Sequence, residues 1–245
     1  MKKLLPIWFI LVCAGRLFGA EVTDDFGAAN KLYAEGKFAG AAVAYEKLLQ
    51  AGAQSPALLF NAANAEYKAG NLGKAIANYG RAEQLAPHDA EIRANLAFVR
   101  NQVQGATVRP SYSQTWLGQF SLNEWTVLAV GAFWLFFAML AFRQIRPALA
   151  GRLRSVTWVL AGFTIFFGAG LGMQAMNHSR QTAIVLSDGT AARSGPFDEA
   201  QSTFTLHDGA ELNVVDHHEN WVQVADASGK TGWLSAKQVA LLPGA

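Results

Sequence analysis

The chain has 245 residues, a formal net charge of +2 and a single cysteine, Cys13. That length holds two apolar spans plus two small soluble domains, and one cysteine excludes an internal disulfide. No basic stripe is interleaved with aromatics outside one short loop, which excludes a nucleic-acid surface.

Residues 1–20 (MKKLLPIWFILVCAGRLFGA) read as a secretory signal peptide: Lys2 and Lys3, an apolar centre, then small residues up to Ala20. Cys13 lies inside it. Val12 stands where a lipoprotein signal needs a small residue, so Cys13 is not expected to carry lipid.

Residues 21–104 contain a repeat of 34 residues. Tyr33 matches Tyr67, Gly36 matches Gly70, Phe38 matches Leu72, Ala41 matches Ala75, Tyr45 matches Tyr79 and Lys47 matches Arg81. Period and residue order resemble the tetratricopeptide repeat, a helix–turn–helix unit. The physics agrees with that resemblance. Gly36 and Gly70 suit helix C-termini, Ala41 and Ala75 are small where helices touch, and Tyr45 and Tyr79 fill the space between layers. Asp89 to Val103 restarts the first-helix pattern and stops, as a capping helix does. Two repeats and a cap fall short of the three needed to bury a continuous core. The module is therefore expected to lean on another chain, on the membrane or on its own copy.

The resemblance implies an inner groove lined by the first helix of each unit. Position by position, those residues are Asn30, Tyr33, Phe60, Asn61, Asn64, Tyr67, Lys68, Asn95 and Phe98. Asn side chains offer paired donors and acceptors to an extended peptide, and the aromatics offer apolar pockets. The family's carboxylate-clamp pattern is broken by Phe26, Glu91 and Asn95, where basic residues belong.

Residues 105–121 are a polar linker ending in Trp116, Leu117 and Phe120, readable as a short interfacial turn or as an ordinary connection. Residues 122–142 and 156–176 are the two apolar segments. Each is close to the length that crosses about 30 Å of hydrocarbon, and each is read as a transmembrane helix. Ser121 and Glu124 form a capping box at the start of the first. The loop 143–155 carries Arg143, Arg146, Arg152 and Arg154, and no Asp or Glu occurs between Glu124 and Asp188. Short Arg-rich loops stay cytoplasmic, which puts both flanking parts on the other side. Gly168 and Gly172 form a small-xxx-small pair, expected to pack on Gly131 or Ala138 or to serve a dimer.

Residues 177–245 break into short β-prone runs separated by turns at Ser187–Gly189, His207–Gly209, His218–Asn220 and Ala227–Gly229. Their spacing predicts a small barrel of about five strands. Trp221-Val222, Gly229 and Gly232-Trp233-Leu234 resemble the ending of a bacterial SH3-like domain. Trp221 and Trp233 are its candidate binding aromatics. His217 and His218 lie beside a turn with Asp216 and Glu219 and read as solvated residues rather than metal ligands.

The fold class read from the sequence is multidomain: an all-α tetratricopeptide solenoid, a two-helix transmembrane hairpin and a small all-β SH3-like barrel. That order resembles the BatE family of the Bacteroides aerotolerance operon. The resemblance implies a scaffold of the bacterial inner membrane with both soluble domains in the periplasm. It also implies protein partners among von Willebrand factor A-domain membrane proteins and a MoxR-type ATPase complex, and a role in aerotolerance or envelope stress. The alternative is an envelope sensor or cell-wall-binding protein acting on peptidoglycan through the SH3-like domain. No catalytic constellation, metal set or cofactor motif is read in the sequence, and the spans hold no ionisable relay residue.

Overall fold

The computed structural model describes residues 25–104 and 112–243. The expected signal peptide with Cys13, and most of the linker, lie outside them. The described residues form two compact units, one made of residues 25–104 with Ala183–Leu242, the other of residues 112–182.

The first unit begins with five helices: α1 (25–34), α2 (Phe38–Gln50), α3 (Pro56–Lys68), α4 (Leu72–Leu85) and α5 (Ala90–Arg100). Their ends follow local chemistry. Ser55 Oγ accepts the Leu58 amide ahead of Pro56 at the first helical position. Asp89 accepts the amides of Glu91 and Ile92, so the expected restart is α5, ending at Arg100 rather than at Val103. Gly36 and Gly70 take φ of +74° and +88°, the left-handed conformation that closes a helix.

The 34-residue period recurs in the packing. Ala41 and Ala75 are fully buried, as are Tyr45 and Tyr79. Tyr45 meets Phe26 at 5.9 Å between ring centroids, and Tyr79 meets Phe60 at 5.7 Å. Each pair lies 34 residues from its counterpart, so the second helix of each pair is seated on its first helix in the same way.

Seven strands follow, belonging to the first unit over Ala183–Leu242: β1 (Gln181–Val185), β2 (Thr190–Arg193), β3 (Ser202–Leu206), β4 (Glu211–His218), β5 (Trp221–Ala225), β6 (Thr231–Ser235) and β7 (Val239–Pro243). They form one sheet in the order β3-β2-β6-β5-β4-β1-β7. The expected count of about five is too low. The four-residue β2 is too short to show alternation, and the first and last runs of the domain, β1 and β7, extend the sheet beyond β4. Ala183, Val185, Ala192, Leu212, Val222, Val224 and Leu234 form its core.

This sheet is what the short helical stack leans on. Ile184 and Leu242 enter the same buried cluster as Ala63, Ala75, Ile76, Leu96 and Val99. Arg100 grips Glu211 with two bonds, Nε to Oε1 at 2.7 Å and Nη2 to Oε2 at 2.8 Å. Asp208 Oδ1 accepts the Gly73 amide at 3.1 Å. A Cβ at Gly73 would lie 2.0 Å from the Val185 carbonyl oxygen, and one at Gly80 would lie 2.6 Å from Leu242 Cδ1. The expectation of support from another chain, the membrane or a second copy is thus corrected. The C-terminal sheet of the same chain covers the end of the stack.

The second unit holds α6 (Tyr112–Leu117), α7 (Leu122–Ile145) and α8 (Arg154–Ser179), with a 3-10 turn at Pro147–Leu149. α7 and α8 are long and apolar enough to cross a membrane, and most of their surface is exposed. The Ser121–Glu124 capping box is present. Trp125 is fully buried and donates from Nε1 to the Leu117 carbonyl at 3.0 Å, tying α6 to the start of α7. The close approach falls at Gly170, where a Cβ would come within 2.3 Å of the Trp125 ring. It does not fall at Gly168 or Gly172, which have nothing within 4 Å of that position. Tryptophan, the largest side chain of the pair, sets where a glycine is needed.

Candidate binding faces

The helical face. The structure brings most of the sequence-selected residues into two groups. Asn30 Oδ1 accepts Tyr45 Oη at 2.6 Å and Asn61 Nδ2 at 3.1 Å. Asn64 Oδ1 accepts Tyr79 Oη at 2.5 Å. The two Tyr–Asn bonds are again 34 residues apart. They give the Asn carbonyls a structural task, pinning each second helix to its own first helix. Burial pushes the Tyr45 and Tyr79 phenols above the ordinary tyrosine value, which keeps both as hydrogen-bond donors. What remains for a ligand is the Asn61 carbonyl and the Asn64 amide.

The second group is more open. Tyr67 and Phe98 meet edge to face at 5.8 Å, and the Lys68 ammonium sits 5.9 Å from the Tyr67 ring. Tyr67 Oη is held by Gln102 Nε2 at 3.0 Å. Phe98 is 54% exposed, Lys68 is exposed, and Asn95 is half-buried beside them in sequence on α5. Tyr33 is half-buried and packs on Phe38 at 5.2 Å, away from this group. A half-fixed aromatic pair with a lysine above it can take an apolar side chain and a nearby acceptor from an extended segment.

The sheet face. Val222, Val224 and Leu234 point into the sheet's core, so Trp221 and Trp233 point outward. Both are half-buried, and neither is a core residue. Register places Trp233 between Arg193 on β2 and Gln223 on β5, and Trp221 beside His218 on β4. The Arg193 guanidinium lies 5.9 Å from the Trp221 ring and donates from Nη1 to the carbonyls of Asp198 and Ala200. His218 stands edge-on to Trp233 at 6.4 Å. His217, on the opposite side of the strand, is exposed. Among the described residues, no three His, Cys, Asp or Glu side chains are grouped to hold a metal. The face is a shelf of two indoles edged by a guanidinium and an imidazole, suited to stacking and hydrogen bonding.

Sequence reasoning missed the residues that fix these faces in place: Arg100, Glu211, Asp208, Ile184 and Leu242. One signal was available. Gly73 and Gly80 lie seven positions apart in a helix that gains nothing from glycine, a mark of close backbone approach along one face. Charge alone does not show the arrangement. Burial pushes the Glu83 carboxyl up while Arg100 and Arg93 draw it down. Burial also raises Asp208 while the amides of Gly73, Leu72 and Gly209 oppose it. The His207 hydrogen bond holds Asp188 below the usual carboxylate value. A cleft of about 510 Å³ lies where Gly70–Leu72 meets the sheet's turns at Ser187–Asp188 and His207–Asp208.

Comparison with known proteins agrees with the sheet. Residues 187–240 match the family described as Bacterial SH3 domain. The chain is also similar to the uncharacterized protein YgiM of Escherichia coli (strain K12), at 33% identity over 87 residues, 34% of this chain and 41% of that protein. The corresponding proteins of Escherichia coli O157:H7 and Shigella flexneri match to the same extent. The chain spans about two fifths of the length of the curated relatives it matches.

Proposed function

We propose that this chain is a membrane-anchored adaptor with no reaction of its own. In this reading α7 and α8 cross a bacterial inner membrane, the arginine loop is cytoplasmic, and the soluble parts stand in the periplasm. The observation that carries it is the composition of the first unit, where residues before α7 and residues after α8 share one buried cluster. A body built from both flanks of a helical pair favours an even number of crossings between them, as does the distribution of arginines.

The helical part then acts as a tetratricopeptide module. It takes an extended segment of a partner over Asn61, Asn64, Tyr67, Lys68, Asn95 and Phe98. Partners of the BatE type, von Willebrand factor A-domain membrane proteins and a MoxR-type ATPase complex, follow from the resemblance of the domain order, as does a role in aerotolerance or envelope stress. The structure changes how the groove should be tested. Asn64→Ala would leave the buried Tyr79 hydroxyl without its acceptor, so loss of capture would mix folding with binding. Phe98→Ala with Lys68→Gln alters only exposed groups. The double variant is expected to lose at least about tenfold in partner recovery from membranes while keeping the thermal midpoint of the parent, since exposed substitutions stay within about 0.5 kcal/mol each. Undiminished recovery would rule out this face.

The second reading places the function on the sheet face, where Trp221 and Trp233 are both presented outward beside Arg193. There the ligand is peptidoglycan or its stem peptides. Co-sedimentation with purified cell wall separates the two. Retention that depends on Trp221 and not on Phe98 favours the second reading.

A further inference from the structure

The end of the second unit opposite Trp125 concentrates positive charge with nothing to balance it. Arg143, Arg146, Arg152 and Arg154 fall within twelve positions, and no acid lies between Glu124 and Asp188. Arg143 is not a loose side chain. Its Nη1 donates at 3.2 Å to Thr157 Oγ1 on α8, and that hydroxyl donates to the Leu153 carbonyl at 2.8 Å. Thr157 is buried, so the contact fixes the guanidinium against the second helix.

Arg154 is exposed at the first position of α8, three residues before Thr157. One guanidinium fixed on α8 and a second, solvent-exposed arginine thus stand at the start of this helix. Leu153 stands at the N-cap, so no side chain caps the first amides of α8, and no acid occupies its first turn. Arg146 and Arg152 are exposed on the connecting turn. Apolar surface adjoins the charge, with Ile145, Leu149 and Trp158 all exposed. A purely orienting role would need the arginines but neither the Arg143–Thr157 contact nor an uncapped helix start beside them.

We propose that this end of the helical pair binds the phosphate of an anionic phospholipid headgroup. Arg143 and Arg154 would supply paired donors, Arg146 and Arg152 the surrounding field, and Ile145 and Trp158 the contact with acyl chains. The inference rests on the membrane reading above, and its test separates the two. The full-length protein is reconstituted in bilayers of phosphatidylcholine alone, and in an equal mixture with phosphatidylglycerol. Lipids retained after mild detergent extraction are counted by native mass spectrometry.

Phosphatidylglycerol is expected to be retained over phosphatidylcholine by at least about tenfold. The preference should fall by at most about fivefold for each arginine neutralised. R146Q/R152Q, which leaves the Arg143–Thr157 contact intact, should lose part of it, and R143Q/R154Q most of it. R143K/R154K keeps the charge but not the planar fork, and should fall between the parent and R143Q/R154Q. Equal retention of the two lipids by the parent, or an unchanged preference in R143Q/R154Q, would overturn the headgroup site. Displacement of phosphatidylglycerol's advantage by millimolar inorganic phosphate, with no dependence on bilayer lipid, would overturn it in favour of free phosphate. Failure to enter phosphatidylcholine bilayers at all overturns the membrane reading instead.

Discussion

Arg100→Ala is expected to lower the stability of the soluble body by about 3 kcal/mol, because it strands Glu211 at the seam as a carboxylate without its counter-ion. Glu211 is only 5% exposed, and both its oxygens are taken by Arg100. Water cannot readily replace that partner. The loss should appear in denaturant titration of the full-length protein as a lower midpoint, with the helical part and the sheet separating. Replacing both members, Arg100→Met with Glu211→Leu, removes the stranded charge and should recover most of the loss. If the single variant is as stable as the parent, the two parts are not held by this ion pair. If the double variant is as weak as the single, the pair's effect is one of shape rather than charge.

Trp125→Ala should have an effect of similar or larger size on the second unit, about 3–5 kcal/mol by analogy with other buried tryptophans. The indole is surrounded by Trp116, Phe120 and Phe167 at 5.6–6.3 Å between centroids, and its N–H holds the Leu117 carbonyl. Removing it opens a cavity over Gly170 and frees α6. Titration of the reconstituted protein with denaturing detergent should show the pair opening at a lower concentration. Gly170→Val should be damaging by the reverse route, overpacking against the ring, whereas Gly168→Val and Gly172→Val should be tolerated within the pair. Equal damage at all three glycines would return the helix contact to the small-xxx-small face and contradict the observed packing.

These two sites also mark where sequence reasoning reaches its limit. The 34-residue period was legible because it repeats whole sets of contacts. Tyr45 and Tyr79, Gly36 and Gly70, and Ala41 and Ala75 each occupy their expected environment. The apolar pair was legible from length and charge alone. Residue type marked Trp221 and Trp233 as candidates but assigned at least one of them to the core, and only the strand register puts both on the outer face. What was not legible depends on long-range partners. The Arg100–Glu211 pair spans 111 positions and the Gly73–Asp208 bond 135, and no local pattern encodes either. Small-residue spacing pointed to Gly168 and Gly172 because it ignores which bulky side chain faces the helix. The carbonyl oxygens of Asn30 and Asn64 are engaged by tyrosines fifteen residues further on, which a linear reading of groove positions does not reveal.

The most direct test of the adaptor reading is in-cell photo-crosslinking with the reactive group placed once at Phe98 and once at Trp221, followed by mass spectrometry. Capture of a specific membrane protein through Phe98, lost when Lys68→Gln is added, is the expected result and would identify the partner. Crosslinks confined to Trp221 and carrying glycan-peptide material would contradict it. They would assign the binding function to the sheet and leave the helices as its support.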